Sequence, residues 1–307
     1  MLNLDQETLD SYIEGMYMAS STLVEENPDY IVAPMSGSVP FIDVMNIVNN
    51  SFDPSKVVYM PASSKIDGVN NVIKNWYFNF LRDVEKTHED SPKIIGIDEV
   101  VSGSSVVRCI RNIDIASNKI RKEKLRTLTQ RVISHNKDEV FSALNKIDDL
   151  TNHDHSYDLT IMRERFARGE YSTNPDLARN NFRFLGEIVK DALSVQYIYR
   201  TIGIEDSKAT RRGKEYEDFR EKGRVIPISV KSILSMDIPD FAPPRFKQKE
   251  GRYVKYTPEV ETFVVSPRYL EFLQEIARRV GKDPYTVDPI NMSRIMESGK
   301  YLSDQTN

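Results

Sequence analysis

The chain has 307 residues, enough for one elaborated domain or two smaller ones, and either could bury a substantial core. At 39% hydrophobic and 29% charged its composition is that of ordinary soluble proteins, and 46 acids against 42 Lys and Arg leave a net charge of −4, so the chain as a whole has no electrostatic reason to seek nucleic acid or an anionic membrane. A single cysteine, Cys109, excludes an internal disulfide; no apolar run approaches a membrane span, and MLNLDQETLD lacks the basic-then-apolar order of a signal peptide, so a cytoplasmic protein is expected.

Residues 4–25 place Leu9, Tyr12, Ile13, Met16 and Leu23 at helical spacing, which predicts a lead-in helix covering one edge. Residues 29–41 (DYIVAPMSGSVPF) then read as an apolar strand, a small-residue loop and an amphipathic helix. Gly37 is the position in that loop for an unusual backbone conformation. KVVYMP, at 56–61, reads as a further strand. Residues 66–92 make a long excursion rich in aromatics, with Trp76, Tyr77, Phe78 and Phe80. Such a cluster could stack on a nucleobase, but packing is the expectation, since aromatic clusters are most often core.

The most informative stretch is 93–108, KIIGIDEVVSGSSVVR. Ile94, Ile95 and Ile97 suit a strand buried on both faces of a parallel sheet. Asp98 and Glu99 follow at its carboxyl end, where open α/β sheets place their ligands. Ser102, Gly103, Ser104 and Ser105 offer hydroxyls and unhindered backbone N–H groups at a helix N-terminus, a natural seat for a phosphate. Cys109, on that helix, reads as a buried small apolar residue.

These residues resemble the PRPP-binding motif of type I phosphoribosyltransferases. In that family an apolar strand ends in two acids that hold the ribose hydroxyls of 5-phosphoribosyl diphosphate (PRPP), and a Thr-Gly-x-Thr-like loop wraps the 5-phosphate. Asp98 and Glu99 match the acids, and Ser102-Gly103-Ser104-Ser105 matches the loop with Ser for Thr. The earlier loop, Ser36-Gly37-Ser38-Val39-Pro40, resembles the one that meets the pyrophosphate, and the excursion at 66–92 stands where the family carries a mobile hood. The order of strands and loops is the family's order.

From about 117 to 222 the pattern turns helical. Leu125, Leu128, Val132, Phe141, Leu144 and Ile147 form one apolar stripe, and Asn174-Pro175 starts a helix bearing Phe182, Leu185 and Val189. Strand character returns at 224–234 (RVIPISVKSIL) and 260–265 (VETFVV), which are expected to complete the parallel sheet. A helix with Leu270, Leu273 and Ile276 on one face follows, ending at Arg278, Arg279 and Gly281; a last helix runs from Asp288-Pro289 to near Gly299.

The expected architecture is thus α/β: a type I phosphoribosyltransferase-like parallel sheet flanked by helices, with an inserted all-helical subdomain. Residues 1–116 supply the first part of the α/β domain, 117–222 the insertion and 223–307 the completing strands and helices.

Other chemistry is weaker. His153-Asp154-His155 sits in a polar loop without nearby cysteine and reads as solvated. The basic run at 119–126 reads as a solvated helix face, which makes nucleic acid an unlikely partner. Arg211-Arg212-Gly213-Lys214 lies among Glu215, Glu217 and Asp218 and makes no uniform patch. No Walker loop, GxSxG or HExxH is present.

The resemblance implies a reaction in which a nitrogenous base, a nucleobase-like small molecule, displaces pyrophosphate from C1 of PRPP with Mg²⁺ bound. Asp98 and Glu99 would hold the ribose hydroxyls directly or through the metal. Ser102, Gly103, Ser104 and Ser105 would hold the 5-phosphate; Ser36, Gly37 and Ser38 would meet pyrophosphate, with Lys65 as a nearby cation. Family members are commonly dimers, so a homodimer is expected. The alternative is a phosphoribosyltransferase fold that has lost catalysis and serves as a ligand sensor or partner-binding module. Its support is a spacing from the acids to the phosphate loop about one residue shorter than the family's pattern, a pyrophosphate loop without a basic residue, and the large insertion.

Overall fold

The computed structural model describes residues 5–34, 37–60, 62, 68–87, 92–133, 137–150, 153, 156–169, 199–209, 211–233, 245–246, 248–249, 252–253, 260–262, 267–289 and 301. Five strands, β1 (Tyr30–Pro34), β2 (Val57–Met60), β3 (Ile94–Val100), β4 (Arg200–Asp206) and β5 (Val225–Val230), form one sheet in the order β2-β1-β3-β4-β5. Every pairing in it is parallel. Four short strands, β6 (Arg245–Phe246), β7 (Gln248–Lys249), β8 (Arg252–Tyr253) and β9 (Val260–Thr262), form two antiparallel ribbons. The helices are α1 (Gln6–Glu26), α2 (Val39–Val48), α3 (Val69–Thr87), α4 (Ser104–Ile133), α5 (Lys137–Leu150), α6 (Ser156–Ala167), α7 (Lys214–Glu221) and α8 (Pro267–Arg279).

The chain divides into two compact units, 1–116 with 197–307, and 117–196. In the first, strands of nearly continuous β-branched residues are buried on both faces, as a parallel sheet under helices requires. On one face Ile31, Ala33, Ile95, Ile97, Ile202 and Ile204 join Tyr12 and Met16 of α1 with Phe272, Leu273 and Ile276 of α8. The Asp5 carboxylate accepts the Thr8 N–H at the start of α1, and Asn27 closes it in the left-handed conformation. The opposite face carries the aromatic excursion. Trp76, Tyr77 and Phe80 are fully buried, Trp76 stacks on Phe80 at 5.0 Å, and the Tyr77 hydroxyl bonds that of Tyr199 at 2.9 Å. Packing, not base stacking, occupies these rings.

In the unit 117–196, α5 and α6 form a helical hairpin. Ala143, Leu144, Ile147, Leu159 and Met162 are buried, and the rings of Phe141 and Phe166 meet edge to face at 6.4 Å. Asp148 accepts from the Ser156 hydroxyl at 2.7 Å and takes an ion pair from Arg163 at 3.5 Å. His153, at the turn, lies 3.6 Å from the same carboxylate, while Asp154 and His155 lie outside the described residues. So do the helices expected from Asn174 and from Asp288, apart from the latter's first two residues.

Two sequence expectations are corrected. The helical stretch does not extend to residue 222: Arg200–Asp206 is β4, paired with both β3 and β5, and α7 follows it. Only Ile202 and Ile204 mark RTIGIED as apolar, and its burial comes from neighbouring strands rather than from its own composition. Nor does the segment at 260–265 complete the parallel sheet. Its described part, β9, pairs antiparallel with β6 in a separate ribbon.

Candidate ligand site at the switch point

The strand order reverses between β1 and β3. The chain leaves β1 through α2 to reach β2 on one side, and leaves β3 through α4 to reach β4 on the other. Open parallel sheets bind ligands in the crevice this divergence opens beyond the strand ends. Both loops singled out in the sequence lead away from that point.

Their meeting is direct. A Cβ placed on Gly37 would stand 3.8 Å from Glu99 Oε2, an ordinary van der Waals contact. Gly37 itself is outside the left-handed region, so the expectation of an unusual backbone there is corrected. Ser38 is fully buried and its hydroxyl donates to the Pro34 carbonyl. It shapes the loop from within rather than presenting an oxygen to a ligand. Ser36 and Lys65 lie outside the described residues.

The two acids do not act together. Strand β3 continues through Asp98 and Glu99 to Val100, and successive side chains of a strand point to opposite faces. Glu99 turns toward the α1 and α2 side, where its charge helps raise the Tyr12 hydroxyl, already pushed up by burial. Asp98 turns to the other side and is buried. Its Oδ1 accepts the Glu99 N–H at 2.9 Å. Burial pushes its carboxyl up to about 7, against the Ser105 hydroxyl, the Glu99 N–H and Arg108, which favour the charge. Cys109 lies in the same buried cluster with its thiol pushed up by burial, so it is no nucleophile.

No family model, curated protein or solved structure matches this chain.

The β3–α4 loop is held open by Gly103, whose φ of +78° suits glycine, and by packing over α7. A Cβ on Gly103 would sit 2.5 Å from Tyr216 Cδ2. Ser102 Oγ donates to Ser104 Oγ at 3.1 Å, and both serines are exposed at the start of α4. Ser105 is half-buried, toward Asp98. Beneath the loop, Tyr216 donates to the buried Glu205 Oε1 at 2.7 Å, and Arg212 pairs with Glu205 Oε2 at 3.1 Å.

Sequence reasoning missed the groups under Glu99. Asp43 of α2 is buried and accepts from the Tyr269 hydroxyl of α8, while Tyr12 is buried beside them. Asp43 stood out as a lone charge within the apolar run VPFIDVMNIV. Nothing local tied it to Tyr269, 226 residues away.

Among the described residues no three His, Cys, Asp or Glu side chains cluster as a metal cage. Glu99 supplies one hard oxygen donor at the crevice. That suits Mg²⁺, which draws most of its shell from water and phosphate oxygens. Among the described residues, too, no helix is long and apolar enough to cross a membrane.

Proposed function

We propose that the crevice between β1 and β3 binds PRPP, and that the chain is a phosphoribosyltransferase-like protein with a helical insertion. One observation carries this: Glu99 and Gly37, from the two loops that resemble the family's acidic and pyrophosphate loops, face one another at the switch point. Glu99 then orients the ribose hydroxyls and holds negative charge beside C1 as that carbon gains oxocarbenium character. Ser102, Ser104 and the first turn of α4 seat the 5-phosphate. Backbone amides of the β1–α2 loop meet the pyrophosphate. A base nitrogen bonds to C1, the bond from C1 to the pyrophosphate oxygen breaks, and its electron pair leaves with pyrophosphate. Mg²⁺, held through Glu99, would offset the leaving group's charge.

Asp98 has a different part. It lies buried on the other face of the sheet beside Ser105, its Oδ1 on the Glu99 N–H and its Oδ2 without a hydrogen-bond partner among the described residues, so it shapes the strand end rather than meeting the ligand.

That placement also favours the second reading, a sensor that binds PRPP without turning it over. Only one acid of the pair reaches the crevice. Pyrophosphate release from PRPP and Mg²⁺ across a panel of nucleobases separates the two. Release that Glu99→Gln abolishes supports the transferase. Saturable PRPP binding with no release for any base supports the sensor, and absence of PRPP binding overturns both.

A further inference from the structure

Beneath the crevice, on the side of the sheet that carries α1, α2 and α8, polar groups gather in a core made mainly of aliphatic side chains. Asp43 accepts from Tyr269, and Glu99 reaches toward the same place from β3. Tyr12, from α1, is 0% exposed, and its hydroxyl has no hydrogen-bond partner among the described residues. A buried hydroxyl left unmatched is costly, and native proteins hold few of them.

Tyr12 is firmly seated. Its ring meets that of Phe272 at 6.3 Å. The neighbouring Ser11 hydroxyl accepts the Lys231 N–H at 2.9 Å, and Gly15, three residues on, lets α1 press against β5, where a Cβ would collide with Val230. Burial pushes the Tyr12 hydroxyl well up, with Glu99 adding more than Asp43, so it keeps its proton through the neutral range and is available as a donor. Asp43 is matched by Tyr269, whereas the charge of Glu99 bears more strongly on Tyr12. A carboxylate has about four lone-pair positions, so Glu99 can take this donor and a ligand together.

We propose that Tyr12 is the positioning residue for Glu99: its hydroxyl donates to the carboxylate from below, directly or through one buried water, as the carboxylate closes on the ligand. One oxygen of Glu99 is then tied to α1 and the other is presented to the crevice in a single orientation, as carboxylates that bind metals or hydroxyls are commonly held. This role rests on the reading of the crevice as the PRPP site, and gives that site a support on the lead-in helix.

The test is calorimetric titration of PRPP, with Mg²⁺, into the full chain and its Tyr12→Phe, Glu99→Gln and doubly substituted variants, beside a thermal melt of each. Tyr12→Phe keeps the ring and removes only the unmatched oxygen, so its melting midpoint is expected to be no lower than that of the wild type. PRPP affinity falls about tenfold in Tyr12→Phe. The double variant binds within about twofold of Glu99→Gln alone, because the hydroxyl acts through that carboxylate; a residue that merely supported the core would add its loss in full. Wild-type affinity in Tyr12→Phe, or a further loss of about tenfold in the double variant, overturns the positioning role and leaves the PRPP reading standing. So does a clearly lowered midpoint, which would show the hydroxyl matched within the core. No PRPP binding to the wild type overturns the PRPP reading, and this role with it.

Discussion

Asp98 and Glu99 are adjacent in sequence and look to opposite faces of the sheet: Glu99 toward Gly37 and Tyr12, Asp98 into a buried cluster with Ser105 and Cys109. The pair is therefore divided between a half-buried carboxylate at the crevice and a fully buried one. Removing their charges one at a time is expected to have unequal effects. Glu99→Gln weakens PRPP binding by about a hundredfold, the loss of a charge-assisted hydrogen bond with its metal contact. Asp98→Asn changes it by less than about tenfold. Equal losses in both variants, measured by titration, would contradict the division.

The buried carboxyl has a pH signature of its own. Asp98 rises from 3.8 to about 7 on folding, so between those values the folded state holds a proton that the unfolded state has released. Stability from this group is full below about pH 4, falls as pH rises through that window, and is level above it. The difference is worth up to about 4 kcal/mol. Denaturant melts at about pH 5 and about pH 8 are expected to show a decline in the wild type that Asp98→Asn removes. A decline of equal size in the variant would assign it to other groups.

Gly103 is fixed by both its backbone and its neighbour. With φ at +78° and the Tyr216 ring 2.5 Å from where a Cβ would stand, Gly103→Ala strains the loop and displaces the ring. A loss of about 2–4 kcal/mol is expected. Adding Tyr216→Ala relieves the collision but not the strain, so the double variant loses less than the sum of the two. Strict additivity in a denaturation series would show that the ring is not what confines the glycine.

Under the same loop, Glu205 gathers Tyr216 and Arg212. Glu205→Ala leaves a largely buried guanidinium and a buried hydroxyl without their carboxylate, which costs about 3–5 kcal/mol. Thermal melting reads this directly. A change of less than about 1 kcal/mol would mean that water replaces the carboxylate.

The two loops were legible because β1 and β3 each carry a dense apolar run closed by a small-residue turn, and β5 because its apolar residues recur through VIPISV. Strand β4 was not, since RTIGIED places just two large apolar residues among charges and owes its burial to β3 and β5. The acids were legible as residues but not as geometry. Placed at the carboxyl end of the strand, the two carboxylates read as one pair, whereas the strand's continuation to Val100 separates them by the pleat. The basic stretch at 211–214 looked neutralised by its acidic neighbours. Folding spends Arg212 on Glu205, from another element. Such pairings are set by tertiary contacts that no local pattern records.

The most direct test of the central claim is calorimetric titration of PRPP, with Mg²⁺, into the wild-type chain and Glu99→Gln. Saturable binding to the wild type, weakened about a hundredfold in the variant, is the predicted result. Absence of binding to the wild type, or equal affinity in both, would contradict the assignment of the switch-point crevice to PRPP.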